Sequence, residues 1–253
     1  MLSRRLIACL DVQDGRIVKG VRFAALTDAG DPAARGELYE RQGADEIVIL
    51  DVSATPQGRC ASLETIRRVR AVLSIPITVG GGIGGVQDAQ AVLAAGADKV
   101  AVNSAAVQRP GILTDLSGRF GRQCVVLAID AARRGDGRGG WEVLTRSGTN
   151  RTGLDAVAWT GGARALGAGE VLLTSWDRDG TRQGYDLELI RSVAEATQLP
   201  VIASGGASGP AHMVEAFAAG ADAVLAASIF HHDTMSIQLI KRELARAGLE
   251  VRR

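Results

Sequence analysis

An alternation that runs the length of the chain most constrains its fold. Eight short apolar runs fall at 5–10, 46–50, 77–79, 99–102, 125–129, 170–174, 201–203 and 223–226. Between and after them lie amphipathic stretches at 32–42, 63–73, 86–95, 111–120, 156–166, 187–197, 211–219 and 236–247. Continuous hydrophobics of this length read as strands buried on both faces, and the stretches with helical period as crossover helices. Strict βα alternation demands a parallel sheet. Eight units in 253 residues match a single α/β domain closed as a (β/α)8 TIM barrel. The competing fold is an open doubly wound sheet. It would carry G-x-G-x-x-G after the first strand, and that fingerprint is absent.

The chain also repeats itself. Ala95-Gly96-Ala97-Asp98 matches Ala219-Gly220-Ala221-Asp222, and Val79-Gly80-Gly81-Gly82 resembles Ala203-Ser204-Gly205-Gly206. Gly43-Ala44-Asp45-Glu46 resembles Gly167-Ala168-Gly169-Glu170, and all three pairs are 124 residues apart. Two half-barrels, approximately 1–122 and 123–253, therefore form one barrel. Asp11 and Asp130 are 119 apart. The difference is placed after the fifth strand, where Gly-rich 133–140 and a strand-like piece at 141–145 are inserted.

A net charge of +1 provides no field for steering nucleic acid or holding a membrane surface, so neither partner is expected. Cys9, Cys60 and Cys124 are odd in number and far apart. They read as reduced thiols of a cytoplasmic protein. Neither CxxC nor HExxH occurs, and the side chains of adjacent His231 and His232 would diverge, so no metal and no cofactor are expected. Asp11 cuts the first apolar run too short for a signal segment, and no run reaches the ~18 apolar residues of a membrane span.

The chemistry centres on Asp11 and Asp130. Each ends an apolar strand and neither directly precedes a helix, unlike Asp31 and Asp186, which read as helix caps. In a closed ring the first and fifth strands lie opposite. The two aspartates then face each other at the C-terminal mouth, where barrel active sites form, as a general acid/base pair. Small residues recur where strands hand over to helices: Gly81-Gly82, Asn103-Ser104, Asp179-Gly180, Ser204-Gly205-Gly206 and Ala227-Ser228. Glycine lets backbone approach an anion, and helix N-termini aim N–H groups at it. Four of the five patches follow strands three and four, and by the repeat seven and eight. That predicts two phosphate sites on opposite sides of the mouth, and a bis-phosphate small molecule spanning them. Thr174, which ends the sixth strand, joins the substrate-binding candidates.

Lys19 lies in a long segment, 14–30, after the first strand. It is either a solvated charge or, if the segment is a lid, a cation over the substrate, with Phe23 as a stacking surface. At the opposite end Arg5, Glu46, Lys99 and Glu170 all begin strands. Arg5 shares strand parity with Asp11, Lys99 with Asn103 and Glu170 with Thr174. The four charges form either a salt-bridged plug or a gate in an axial passage.

At these residues the chain resembles the cyclase (synthase) subunit of imidazole glycerol phosphate synthase, nearly end to end. The most specific pieces are 7–20 (IACLDVQDGRIVKG), 28–32 (DAGDP), 79–84 (VGGGIG), 96–106 (GADKVAVNSAA), 126–130 and 167–185 (GAGEVLLTSWDRDGTRQGY). The resemblance implies Asp11 and Asp130 as the catalytic pair and Lys19 as the closing-loop lysine. It implies phosphate binding at Gly82, Asn103, Ser104, Asp179, Gly180, Gly205, Ala227 and Ser228. It implies an ammonia gate of Arg5, Glu46, Lys99 and Glu170, and a heterodimer with a glutaminase subunit that feeds ammonia through the barrel. Arg22 and the pair Gly161-Gly162 depart from the family pattern, the latter predicting a frayed helix at 156–166. Cys60 reads as an ordinary loop thiol, and Asp98 as a rim contact for the partner. The rival readings are the sister isomerase of the same pathway, against which the charged floor argues, and a non-catalytic scaffold barrel.

Overall fold

The computed structural model describes residues 3–21, 24–231 and 235–252. Its strands are β1 (Arg5–Gln13), β2 (Arg16–Val21), β3 (Ala24–Gly30), β4 (Glu46–Asp51), β5 (Ile77–Gly80), β6 (Lys99–Val102), β7 (Val125–Arg133), β8 (Trp141–Thr145), β9 (Asn150–Asp155), β10 (Glu170–Ser175), β11 (Val201–Ser204) and β12 (Ala223–Ala226). Its α-helices are α1 (Pro32–Arg41), α2 (Leu63–Arg70), α3 (Val86–Ala94), α4 (Ser104–Gln108), α5 (Gly111–Phe120), α6 (Ala156–Ala163), α7 (Leu187–Ala196), α8 (Pro210–Ala218), α9 (Ser228–His231) and α10 (Ile237–Arg246). Strands β1, β4, β5, β6, β7, β10, β11 and β12 pair in that order, all parallel. Strand β12 closes on β1 through Arg5↔Ala223 to Ala8↔Ala226, so the expected (β/α)8 barrel is formed.

Alternation along each strand sorts side chains to two sides. Leu6, Ala8, Leu10, Ile47, Ile49, Val171 and Leu173 point outward into one buried layer shared with helix residues such as Ile66, Val69, Leu189 and Ile240. Ile7, Cys9, Val48, Ala101, Val126, Leu172, Ile202 and Leu225 point inward and form a second, smaller cluster. That cluster plugs the barrel's waist and leaves polar side chains above and below it. Helices α1 and α7 are capped by Asp31 and Asp186, whose carboxylates accept the N–H of Ala34 and Leu189. Asp98 and Asp222, 124 positions apart, play matching parts. Asp98 accepts the N–H of Ile77 at 2.8 Å, and Asp222 that of Val201 at 3.1 Å.

Three stretches take a more definite form than periodicity gives. The segment 14–30 is an antiparallel hairpin, β2 with β3, continuing from β1 through Val12↔Ile17. The strand at 141–145 is β8, but it gains a partner, β9, and pairs back on β7 through Asp130↔Leu144. Helix α6 stops at Ala163, one residue after Gly161-Gly162, and not at 166. Gly161 also brings α6 close to the Ala196 carbonyl of α7, which gives its missing side chain a packing reason.

Candidate active site

Asp11 and Asp130 stand on the first and fifth strands of the ring, β1 and β7, and so face each other across it. Their parity with Ile7 and Cys9, and with Val126 and Ala128, turns both inward at the C-terminal end. Asp11 is buried and accepts a hydrogen bond from the Cys9 thiol at 3.4 Å. Asp130 accepts from Nδ2 of Asn103 at 3.1 Å, and the same amide nitrogen donates to the Leu144 carbonyl at 3.0 Å. Both partners are acceptors, which fixes the orientation of the amide. Oδ1 of Asn103 is then left buried with no partner among the described residues, a spare acceptor on the amide that binds Asp130.

The carboxyl group of Asp130 is pushed up to about 7. Burial is the chief cause, the like charge of Asp179 the next, and Asp11 a smaller one; the bond from Asn103 works against them. A carboxyl poised there holds or releases a proton near neutrality, as acid/base catalysis requires.

Two cavities open at the mouth. The larger, ≈ 480 Å³, is lined by Gly82, Asn103, Ser104, Asp130 and Thr174. The smaller, ≈ 40 Å³, is lined by Asp179, Gly180, Ser204, Gly205, Ala227 and Ser228. The phosphate-site candidates thus fall into two groups, one on each side. Ser104 and Ser228 each open a short helix, α4 and α9, that periodicity does not reveal. Asp11 lines neither cavity among the described residues.

The glycines have a structural reason as well. A side chain at Gly82 (φ +65°) would land on the Arg59 carbonyl, and one at Gly206 (φ +96°) on the Gly184 carbonyl. Neighbouring βα-loops therefore pack backbone to backbone at these points. Some cradle donors are already engaged. The N–H of Gly82 goes to Thr55 Oγ1 at 3.0 Å, and that of Asp179 to the Ser175 carbonyl at 2.9 Å.

At the barrel floor the four charges meet in a closed ring. Arg5 binds Glu46 at 3.1 Å and also Glu170, and Lys99 binds Glu46 at 3.0 Å and Glu170 at 2.9 Å. Thr78, which sequence reasoning missed, donates its hydroxyl to Glu46 at 2.5 Å. Burial pulls the Arg5 guanidinium down, but Glu170 and Glu46 more than offset it and hold it above its usual range.

Other expectations separate. The backbone of Lys19 lies in β2, but its side chain, with Arg22 and Phe23, lies outside the described residues. Cys60 lines the larger cavity as a thiol pushed up chiefly by burial, which disfavours the nucleophilic thiolate. Asp98 is tied to Arg70 at 3.2 Å, with its side chain still half exposed. No helix among the described residues is long and apolar enough to cross a membrane, and none of their His, Cys, Asp and Glu side chains cluster as metal ligands.

Comparison with known proteins settles the family. Residues 5–236 match the family model described as histidine biosynthesis protein. The chain is 55% identical to imidazole glycerol phosphate synthase subunit HisF of Metallosphaera sedula over the full length of both chains. It is 52% identical to the HisF subunit of Corynebacterium diphtheriae, with 98% of each chain covered. It is 50% identical to that of Mycobacteroides abscessus, with 99% of each covered.

The chain belongs to the HisF family.

HisF proteins are cyclase subunits of imidazole glycerol phosphate synthase, and the chain is accordingly an enzyme subunit of histidine biosynthesis. The choice between the two half-repeat barrels weighed above falls on the cyclase, since all three relatives carry the HisF name.

Proposed function

We propose that this HisF chain condenses ammonia with a bis-phosphate formimino-aminoimidazole ribonucleotide through Asp11 and Asp130. Ammonia attacks the ketone of the phosphoribulosyl arm. Ring closure then gives imidazole glycerol phosphate, water and aminoimidazole carboxamide ribotide. Asp130 takes protons from the added nitrogen as base, and Asp11 returns one to the departing amine as acid. The observation that carries the reading is Asp130, which lines the larger mouth cavity on the strand opposite that of Asp11, with its carboxyl poised at about 7.

A phosphate in each cavity stretches the substrate across the mouth, over the pair. Ammonia enters at the floor ring and crosses the apolar waist, where Ala101, Ala128 and Ala223 leave the least bulk. Neutral ammonia crosses such a layer readily, whereas ammonium would lose its hydration there. The floor rim is the docking side for a glutaminase subunit in a cytoplasmic heterodimer. A basic groove lined by Arg41, Lys241, Arg242 and Arg252 opens at the same end.

The test is turnover of the formimino ribonucleotide by this chain alone with ammonium salt at alkaline pH. Formation of both one-phosphate products supports the reading. Conversion of the preceding two-phosphate aminoaldose, with none of the formimino compound, refutes it and assigns an isomerase.

A further inference from the structure

Carboxylates line both mouth cavities. The larger holds the carboxylates of Asp51, Asp88 and Asp130, the smaller that of Asp179. Arg59 in the larger cavity is already committed. It grips Asp51 at 2.7 and 3.1 Å and Ser53 Oγ at 2.6 Å. One further arginine lines each cavity: Arg146, on the turn between β8 and β9, and Arg182, in the loop between β10 and α7. Neither guanidinium has an ion pair or hydrogen bond among the described residues.

Both arginines sit where backbone favours glycine, at φ 54° and 59°. The position 124 residues before Arg182 is Gly58, with φ 66°, and it lines the larger cavity. The same turn thus takes glycine in one half-barrel and arginine in the other. Where an arginine is held in a conformation that suits glycine, its side chain has a use that offsets the strain. The larger cavity, with Gly58 at that point, receives its unpaired cation from the hairpin instead.

We propose that Arg146 and Arg182 are phosphate ligands, one for each end of the bis-phosphate substrate. A guanidinium binds phosphate through two parallel N–H bonds, and near a carboxylate-lined mouth it offsets part of the repulsion that a phosphate would meet. One backbone donor in each cavity, that of Gly82 and that of Asp179, is already engaged, which leaves room for a side-chain cation to contribute. The inference rests on the bis-phosphate reading above and adds a prediction about order. Each product keeps one phosphate, so each arginine governs one product.

The experiment is steady-state turnover with ammonium, with product inhibition by imidazole glycerol phosphate and by aminoimidazole carboxamide ribotide measured separately. Arg146→Ala and Arg182→Ala are each expected to raise KM about tenfold, more than they lower kcat, as for loss of a charge-assisted hydrogen bond. Each variant is expected to lose inhibition by a different product. The lysine variants recover part of the affinity, and Arg119→Ala on the exposed face of α5 changes neither constant. Arg182→Gly separates binding from structure: it raises Tm by relieving the backbone while KM worsens. A KM within about twofold of the parent in both alanine variants overturns the proposal, as does loss of the same product by both, since a charge-assisted bond is worth more than that. Calorimetric titration with inorganic phosphate tests the arginines even if the parent chain turns nothing over. Binding lost in the double variant supports the proposal, and unchanged binding contradicts it.

Discussion

Replacing Asp130 with Asn stabilises the protein at pH 8 while removing its activity. In the folded chain burial and the Asp179 charge raise this carboxyl to about 7 from its ordinary 3.8. The unfolded chain releases that proton near pH 4, the folded chain near pH 7. Folding stability is therefore lost as pH climbs between those values, because the folded state then holds more protons than the unfolded one. At 1.36 kcal/mol per tenfold in proton affinity the limit is roughly 4 kcal/mol, and access of water from the cavity reduces the expected effect to about 2 kcal/mol. Asn keeps the bond from Asn103 and carries no charge. Its Tm should exceed the parent's by about 5 °C at pH 8 and by almost nothing at pH 4. Turnover should fall by about 10³-fold, the span expected for a lost general base. Thermal unfolding at the two pH values, read beside ammonium-driven turnover, checks both halves. A functional group held at a cost to stability gives opposite signs, whereas a merely structural aspartate loses both together.

The second large effect lies at the floor. Lys99→Met leaves Glu46 and Glu170 facing one cation, Arg5, in place of two. Glu46 is almost wholly buried there, and breaking a buried ionic cluster by removing one member leaves charge uncompensated. The side chains of Arg5 and Lys99 keep about a fifth of their surface exposed, so the expected loss is about 2–3 kcal/mol, below the value for fully buried pairs. Denaturant unfolding measures it. The functional consequence separates plug from gate. With ammonium salt the variant should keep turnover within a few-fold, since Asp11 and Asp130 lie at the other end. With glutamine and the glutaminase subunit, a gate predicts that the ratio of glutamine-driven to ammonium-driven turnover changes by about tenfold, on the order of one lost charged contact. A plug predicts the same ratio in variant and parent.

The barrel was legible in the sequence because strand and helix periods differ and neither is broken for long. The inward direction of Asp11 and the floor charges followed from parity alone, since a strand's side chains alternate without exception inside a tight ring. The elements that were not legible are short or depend on backbone angles. Helices α4 and α9 have five and four residues, too few to show a helical period, yet they begin at Ser104 and Ser228 beside the cavities. The β2–β3 hairpin hid in a segment rich in small and polar residues, of which Arg22 and Phe23 lie outside the described residues. Asp179 lines the smaller cavity, and its carboxylate also raises Asp130, an effect that depends on a spatial approach across 49 positions of sequence. Nothing in the letters marks Arg146 and Arg182 either, because a left-handed arginine is spelled like any other.

The most direct test of the central claim is a cycle of Asp11→Asn, Asp130→Asn and the double variant, assayed with the formimino ribonucleotide at fixed free ammonia. Two carboxylates that act on one substrate as a unit lose together. Each single variant should then fall close to background, and the double variant should fall no further. Multiplying effects, or a single variant that keeps a tenth or more of the parent's turnover, would show that one aspartate works without the other and would contradict the account.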